Sequence, residues 1–367
     1  MRFIAVLWPL PGTRISEAGE GMKFFSHDLG IDLGTANVLI NVDGKGIVVR
    51  EPSVVAMDKN TGKILEVGSA ARNMLGRTPG NVVAMHPLKD GVISDHEMTV
   101  KMLQALFREA AKTSLFTPKP RVVICVPSGV TEVEERTVIN AAIDAGARRV
   151  YLIEEPLAAA LGAGLDLRGP NGQMVVDIGC GTTDVAVLCL NGVAVSSSLK
   201  VAGNAFDEAI ARYVRRKHGI IIGQVTAEDI KIQIGSVYPR PETVSMNVKG
   251  RDAKTGMPRE ITLLSSEIYE VLRRPARQIA DEVLSVLEET SPELVSDIAE
   301  NGITLTGGGS QLWGMDKLLT ERTGVTCTLA DDPDSCVAYG CGKSLAWINQ
   351  MTEGPINIAR RRIMRDI

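Results

Sequence analysis

One short pattern occurs twice in this chain, and the repetition limits what it can fold into more than any other feature. The first copy is Ile31-Asp32-Leu33-Gly34-Thr35-Ala36-Asn37. An apolar run ends at an aspartate, a glycine and a hydroxylated residue follow, and apolar residues resume at Val38, Leu39, Ile40 and Val42. The second copy is Val176-Asp177-Ile178-Gly179-Cys180-Gly181-Thr182-Thr183-Asp184, followed by Val185, Ala186, Val187 and Leu188. Each reads as strand, tight turn, strand. Each also ends in a second turn, Asp43-Gly44 in one and Asn191-Gly192 in the other. A lone Asp-x-Gly-Thr is an ordinary hairpin turn, but two copies imply a duplicated domain.

The turns carry chemistry as well as topology. Gly34 and Gly179 let the backbone turn with no Cβ in the way. Free N–H groups in such turns bind anions, and Thr35 adds a hydroxyl donor. Asp32 and Asp177, at the strand ends, suit a hydrated cation rather than the phosphate itself. Two facing hairpins can therefore hold a polyphosphate, with the aspartates sharing one Mg²⁺ through its waters. Nucleotide binding is the leading expectation.

Composition narrows the alternatives. The chain has 367 residues, 44% hydrophobic and 23% charged, enough for two domains with their own cores. A net charge of −4 and only 4% aromatics give no broad basic face and no base-stacking surface, so no nucleic-acid partner is expected. The six cysteines form no C-x-x-C pair and the four histidines are scattered, which argues against structural zinc. Most of these cysteines lie in apolar segments and read as buried free thiols in a reducing compartment. No run approaches the ~20 apolar residues of a membrane-spanning helix. Phe3 to Trp8 is apolar but stops at Pro9 and Pro11, too short for a signal-peptide core. Residues 1–21 read as a disordered or mis-assigned extension, with Met22 as a plausible start, against the alternative of a short membrane-touching anchor.

Along the chain, strands alternate with helices, which predicts an α/β fold. Ser94 to Glu97 reads as a capping box before a helix carrying Met98, Met102, Leu103, Leu106 and Ala110. Leu115 and Phe116 follow in a proline-closed loop flanked by Lys112 and Lys119. They either fold back on the core or enter a lipid surface beside basic side chains. Arg121 to Val126 and Val150 to Ile153 read as strands, and Thr131-x-x-Glu134 caps the helix between them. Asn204 is expected to cap a further helix, Thr226 to start a shorter one, and Ser266 to Glu289 to form a long one kinked at Pro275. Two stretches, roughly 57–89 and 206–270, read as small insertions.

Three more candidate sites stand out. Gly307-Gly308-Gly309 lies between a strand and a helix, and three glycines let a flat ligand approach the backbone closely. Glu228 and Lys231, one helical turn apart, are either a solvated ion pair or a clamp on a sugar and base. Glu155, before Pro156 at a strand end, is the best catalytic candidate, because it can orient a water toward a terminal phosphate. The plainer reading is a helix N-terminal carboxylate favoured by the dipole. Gly342-Lys343-Ser344 is no P-loop, since Val337 stands where that motif needs glycine. Arg360, Arg361, Arg362 and Arg365 make a basic tail, solvated by default or bound to an anionic membrane or partner.

Asp32-x-Gly-Thr35, Glu155-Pro156-x-Ala158-Ala159, Asp177-x-Gly-x-Gly-Thr-Thr183 and Gly307-Gly-Gly-Ser310 occur in that order. Together they resemble the actin/DnaK-type chaperone/sugar kinase ATPase superfamily. Longer stretches are similar to the bacterial actin family of MreB and its paralogue Mbl: Ile31 to Asn37, Gly46 to Ala56, Gly76 to Gly80 and Pro292 to Ile298. The resemblance runs from about Met22 to near residue 350.

It implies an actin-like ATPase fold, two duplicated α/β domains each with a small inserted subdomain, and ATP or ADP with Mg²⁺ in the interdomain cleft. On that plan subdomain IA would take 22–56, 90–169 and 339–367, and IB would take 57–89. Subdomain IIA would take 170–205 and 271–338, and IIB would take 206–270. Glu155 and Thr182 would position the attacking water. Thr35, Ala36 and Asn37 would bind phosphate, as would Gly179, Gly181, Thr182 and Thr183. Glu228, Asp229, Ile230 and Lys231, with Gly307, Gly308, Gly309 and Ser310, would hold the adenosine. Leu115 and Phe116 match the family's membrane-insertion loop.

The resemblance further implies a slow ATPase coupled to polymerisation. Antiparallel double protofilaments would lie on the inner face of the cell membrane, bound peripherally from the cytoplasm. They would direct cell-wall elongation and rod shape with MreC, MreD, RodZ, RodA and a transpeptidase. Cys180 stands where the family usually has glycine, Asn204 replaces a common aspartate, and Asp184 replaces a glutamate, which leans toward the Mbl branch. Two rival classes predict features that do not stand out. A sugar kinase needs a carboxylate base for a substrate hydroxyl and a sugar-recognition insert. A DnaK-type chaperone needs a long substrate-binding domain after the ATPase half.

Overall fold

The computed structural model describes residues 28–111 and 119–348. Leu115, Phe116, the first 21 residues and the arginine tail lie outside them.

The duplication is visible in the sheets. One five-stranded sheet has the order Arg149–Glu154, Arg121–Val126, Leu29–Leu33, Asn37–Val42, Gly46–Pro52. The other has the order Cys327–Leu329, Ile303–Thr306, Gln173–Ile178, Thr183–Cys189, Gly192–Leu199. Position for position the pairings agree: parallel, parallel, antiparallel, antiparallel. In each, the strand ending just after the repeated aspartate is central, with Asp32 opposite Leu39 and Asp177 opposite Asp184. These central strands are buried except at Gln173, the first residue of the second one, as their long apolar runs require. Each sheet also has one register irregularity between its second and third hairpin strands, at Ile40/Asn41 and at Val187/Leu188.

Helices Glu155–Gly162 and Cys336–Ile348 join the two halves. They pack on each other, and their apolar residues share one core with Val123 and Ile153 of the first sheet and Val175 and Leu188 of the second. Glycine makes that approach possible. A Cβ at Gly340 would stand 1.8 Å from the Ala158 carbonyl oxygen, and one at Gly162 would stand 1.7 Å from that of Cys336. Each half also has its own core on the other face of its sheet, around Ile31, Met102 and Ile124 in one and Phe206, Ile230 and Ile279 in the other.

Two small three-stranded sheets stand apart from these. One is built from Val55–Asp58, Ile64–Val67 and Val82–Met85, with the short helix Ser69–Arg72. The other is built from Ile220–Ile221, Ser245–Asp252 and Pro258–Leu264. Their half-polar strands fit sheets with one face in solvent.

Several local expectations change. The helix before residue 111 spans His96–Ala111, and Asp95 rather than Ser94 caps it: Asp95 Oδ1 accepts the Met98 N–H at 2.9 Å. Ser94 Oγ instead donates to the Pro87 carbonyl. Thr131 and Glu134 do form a reciprocal capping box on helix Glu132–Asp144. Asn204 is no cap, because helix Gly203–His218 begins before it, and its amide oxygen accepts from the Cys180 thiol at 3.1 Å. The shorter helix is Gln224–Ile234, starting two residues earlier than Thr226. The long helix is Ser265–Glu289 and continues through Pro275, whose ring is buried.

Candidate functional site

Between the halves lies a cleft of about 710 Å³. The two repeated turns face each other across it. Gly34, Thr35, Ala36 and Asn37 line one wall, and Gly179, Cys180, Gly181 and Thr182 line the other. The walls touch at their tips. A Cβ at Gly181 would stand 2.7 Å from Thr35 Oγ1 and 2.9 Å from Asp90 Cα, so only glycine fits. Each turn is braced from behind. Ser53 Oγ donates to the Gly34 carbonyl at 2.6 Å, and the Ser53 N–H donates to the Ala36 carbonyl at 2.8 Å. On the other side, the Gly179 N–H donates to Thr182 O, and the N–H groups of Gly203 and Asn204 donate to Gly179 O and Cys180 O. A braced, glycine-lined turn keeps its remaining N–H groups pointing at one place, as anion recognition requires.

Carboxylates form the floor. Asp32 and Asp177 are 9% and 2% exposed. Asp177 Oδ1 accepts from Thr306 Oγ1 at 2.6 Å, and Asp32 Oδ1 accepts from the Cys125 thiol at 3.6 Å. Burial pushes both carboxyls up to about 7, partly offset by those donors. Burial and the neighbouring Asp184, Asp177 and Asp32 push Glu155 well above the usual carboxylate range. Glu155 opens helix Glu155–Gly162 and lines the cleft. Its carboxylate, that of Asp32 and the Cys125 sulfur lie within 4.8 Å of one another. Acidic groups held this close in a buried floor repel one another, and a divalent cation relieves that repulsion. Their hard oxygen donors suit Mg²⁺.

The far end of the cleft has another character. Gly307, with φ +80°, follows strand Ile303–Thr306 and donates its N–H to Pro333 O at 2.7 Å. Cβ atoms at Gly307 and Gly309 would stand 2.4 Å from the Ile178 carbonyl oxygen and 2.7 Å from its Cγ2, so the glycines press directly on the second hairpin. Gly307, Gly308 and Gly309 line the cleft beside Leu312 and Trp313. Glu228 and Lys231 line the facing side from helix Gln224–Ile234, with the exposed Ile232. Lys231 is not solvated. It pairs with buried Asp207 at 2.9 Å, and burial raises that carboxyl to about 6 despite the ammonium.

Four residues expected at the ligand do not line the cleft. Thr183 is fully buried and its hydroxyl donates to Val201 O at 2.8 Å. Ile230 is a core residue of the second half. Ser310 is buried and its hydroxyl donates to Gly307 O at 2.6 Å, which braces the glycine turn. Asp229 lies on the same helix as Glu228 but is absent from the cleft wall. The periodicity of helix 224–234 explains two of these, since residues three apart share a face and those between them do not.

Other participants carried little sequence signal. Thr306, Cys125, Asp207, Trp313 and Arg240 are brought in by the fold. The Arg240 guanidinium stacks 5.1 Å from the Trp313 ring centroid. Cys180 lines the cleft in the position of the altered glycine, and burial pushes its thiol up to about 11.

Comparison with known proteins came out in one direction. The family model described as MreB/Mbl protein matches residues 26–353. The cell shape-determining protein MreB of Escherichia coli (strain K12) is 52% identical over 329 residues, covering 89% of this chain and 95% of that protein. The cell shape-determining protein Mbl of Bacillus subtilis (strain 168) is 50% identical over 321 residues, covering 88% and 96%. Among solved structures, MreB5 of Spiroplasma citri bound to ADP superposes with a TM-score of 0.82 at 39% identity, covering 89% of this chain and 97% of that one.

Proposed function

This chain belongs to the MreB/Mbl family and has its actin-like fold, and from that premise we propose that it is an ATP-binding, filament-forming bacterial actin that assembles on the inner face of the cell membrane and directs cell-wall elongation and rod shape. One observation carries the reading: two braced glycine turns face each other over a floor of buried carboxylates. That arrangement suits a polyphosphate with a divalent cation. The ADP held by the Spiroplasma citri relative supports an adenine nucleotide here.

The roles follow from position. Thr35, Ala36 and Asn37 and the opposite Gly179, Gly181 and Thr182 take the phosphates. Asp32 and Asp177 would hold Mg²⁺, which would supply charge neutralisation on the phosphate oxygens. Gly307 to Gly309 take the adenine face, and Glu228 and Lys231 stand beside the sugar. Glu155, with Thr182, orients the water that attacks the terminal phosphate. A carboxylate with a raised pKa is a better proton acceptor than an ordinary one once it is ionised. Hydrolysis is slow and times the filament rather than feeding metabolism.

Filaments would be antiparallel double protofilaments of this chain, held peripherally on an anionic membrane from the cytoplasm by Leu115 and Phe116. MreC, MreD, RodZ, RodA and a transpeptidase would be their partners. Among the described residues no helix is long and apolar enough to cross a membrane. The test is flotation with anionic vesicles and ATP, comparing wild type with the double change Leu115→Ser and Phe116→Ser. Wild type should float with lipid and the variant should lose lipid before it loses assembly. Equal flotation of both proteins would remove Leu115 and Phe116 from the proposal.

A further inference from the structure

Glu228 lines the nucleotide cleft, but its carboxylate is already engaged. Arg72 Nη2 stands 2.5 Å from Glu228 Oε2. The two residues come from opposite halves. Arg72 ends the short helix Ser69–Arg72 of the first small sheet, and Glu228 sits on helix Gln224–Ile234 of the second half. The pair therefore bridges the two halves beside the cleft.

Each end of this bridge is anchored in its own half. Glu51, on strand Gly46–Pro52 of the first main sheet, accepts from the Ser69 N–H at 2.6 Å and from Ser69 Oγ at 2.8 Å, which fixes the helix that carries Arg72. A Cβ at Gly68 would stand 2.2 Å from Glu51 Oε2, so this anchor is close-packed. On the other side Lys231, one turn after Glu228, is tied to Asp207 on helix Gly203–His218. Each tether fixes one end of the bridge to its own half. Separation of the halves must stretch the Arg72–Glu228 contact.

The position of the pair gives it a function. Beside the nucleotide cleft lies a second cavity of about 620 Å³, and Glu228, Thr35, Ala36, Asn37 and Cys180 line both. Arg72 lines only the second. The guanidinium thus reaches from the second cavity to a carboxylate shared by both, at the boundary between them.

We propose that Arg72 is a positioning residue of the nucleotide site: it holds Glu228 beside the cleft, so that bound nucleotide escapes only when this pair opens. The inference rests on the nucleotide-site reading above and adds a residue from the opposite half to it. The Arg72 and Glu228 side chains are 41% and 30% exposed, so the pair is partly screened. Exposed pairs contribute little each, and that contribution converts to an opening equilibrium changed about two- to five-fold. It also weakens with salt.

The test is release of a fluorescent ADP analogue from the full chain, chased with excess ATP. Arg72→Gln should speed release about two- to five-fold at low salt, with an unchanged melting temperature. Arg72→Lys, which keeps the charge, should restore most of the slow release. Raising salt should speed release from wild type and leave Arg72→Gln unmoved. Arg72→Gln added to Glu228→Gln should bring no further acceleration, because each change removes the same contact. Uptake by wild type with an unchanged Arg72→Gln rate, or an additive double variant, would overturn the proposal. Failure of wild type to take up any analogue would instead overturn the nucleotide-site reading.

Discussion

Replacing Thr306 with valine tests the electrostatics of the cleft floor. Thr306 is fully buried, lies opposite Asp177 in the parallel register of the second sheet, and donates to Asp177 Oδ1 at 2.6 Å. Valine keeps the shape and removes the donor. Burial raises the Asp177 carboxyl from its usual 3.8 to about 7 in the fold, and the Thr306 hydroxyl works against that rise. The sign follows from proton counting. Between about 4 and 7 the folded chain binds more protons at Asp177 than the unfolded chain, so this group's contribution favours folding at low pH and is lost as pH rises through 7.

In the variant the opposing donor is gone, so the folded pKa moves further up and the loss with rising pH is larger. At pH 8 wild-type Asp177 is mostly ionised, and a hydrogen bond to a charged group is worth about 1.5–3 kcal/mol. At pH 5.5 the carboxyl is mostly protonated in both proteins, and a neutral bond is worth only about 0.5–1.5 kcal/mol. Urea unfolding in EDTA, followed by circular dichroism at both pH values, measures the difference. The variant should lose more stability at pH 8 than at pH 5.5, by about 1 kcal/mol. An equal loss at both values, or none at pH 8, would refute a buried Asp177 held as its anion by Thr306.

Other perturbations separate chemistry from scaffold. Glu155→Gln should cut phosphate release by about 100-fold or more while nucleotide binding stays, because only the proton acceptor is removed; single-turnover release measures it, and its melting temperature should not fall, since the change removes a carboxylate whose charged form is disfavoured by burial. Gly181→Ala should weaken ATP binding at least about tenfold by calorimetry, because its Cβ would meet Thr35 Oγ1 and Asp90 Cα and wedge the two turns apart. Thr131→Ala removes one side of a capping box whose two residues do not line the cleft, and should cost about 0.5–2 kcal/mol in urea unfolding with ATP binding unchanged.

The duplicated hairpins were legible in the sequence because their pattern is local: apolar run, aspartate, glycine, hydroxyl, apolar run. Strand alternation and the two small insertions were legible for the same reason. The resemblance to the MreB/Mbl family, carried by longer runs such as Gly46 to Ala56, agrees with the family match. What escaped depends on contacts distant in sequence. Thr306 reaches Asp177 and Arg72 reaches Glu228 across several intervening elements, and Asp207 takes Lys231 from the next helix. Local spacing also misplaced some side chains. Ser94 resembled a cap because serine three residues before glutamate is a common signature, yet Asp95 is the residue whose side chain reaches the free N–H. Ser310 and Thr183 sit within glycine-rich motifs, but their hydroxyls are spent on the Gly307 and Val201 carbonyls.

The most direct test of the whole account follows light scattering and phosphate release together after ATP and Mg²⁺ are added to the purified chain with anionic vesicles. The account predicts that scattering rises first and phosphate follows more slowly, with no rise when nucleotide is omitted. A chain that stays monomeric at high concentration with ATP, Mg²⁺ and lipid present, or that releases phosphate without any assembly, would contradict it.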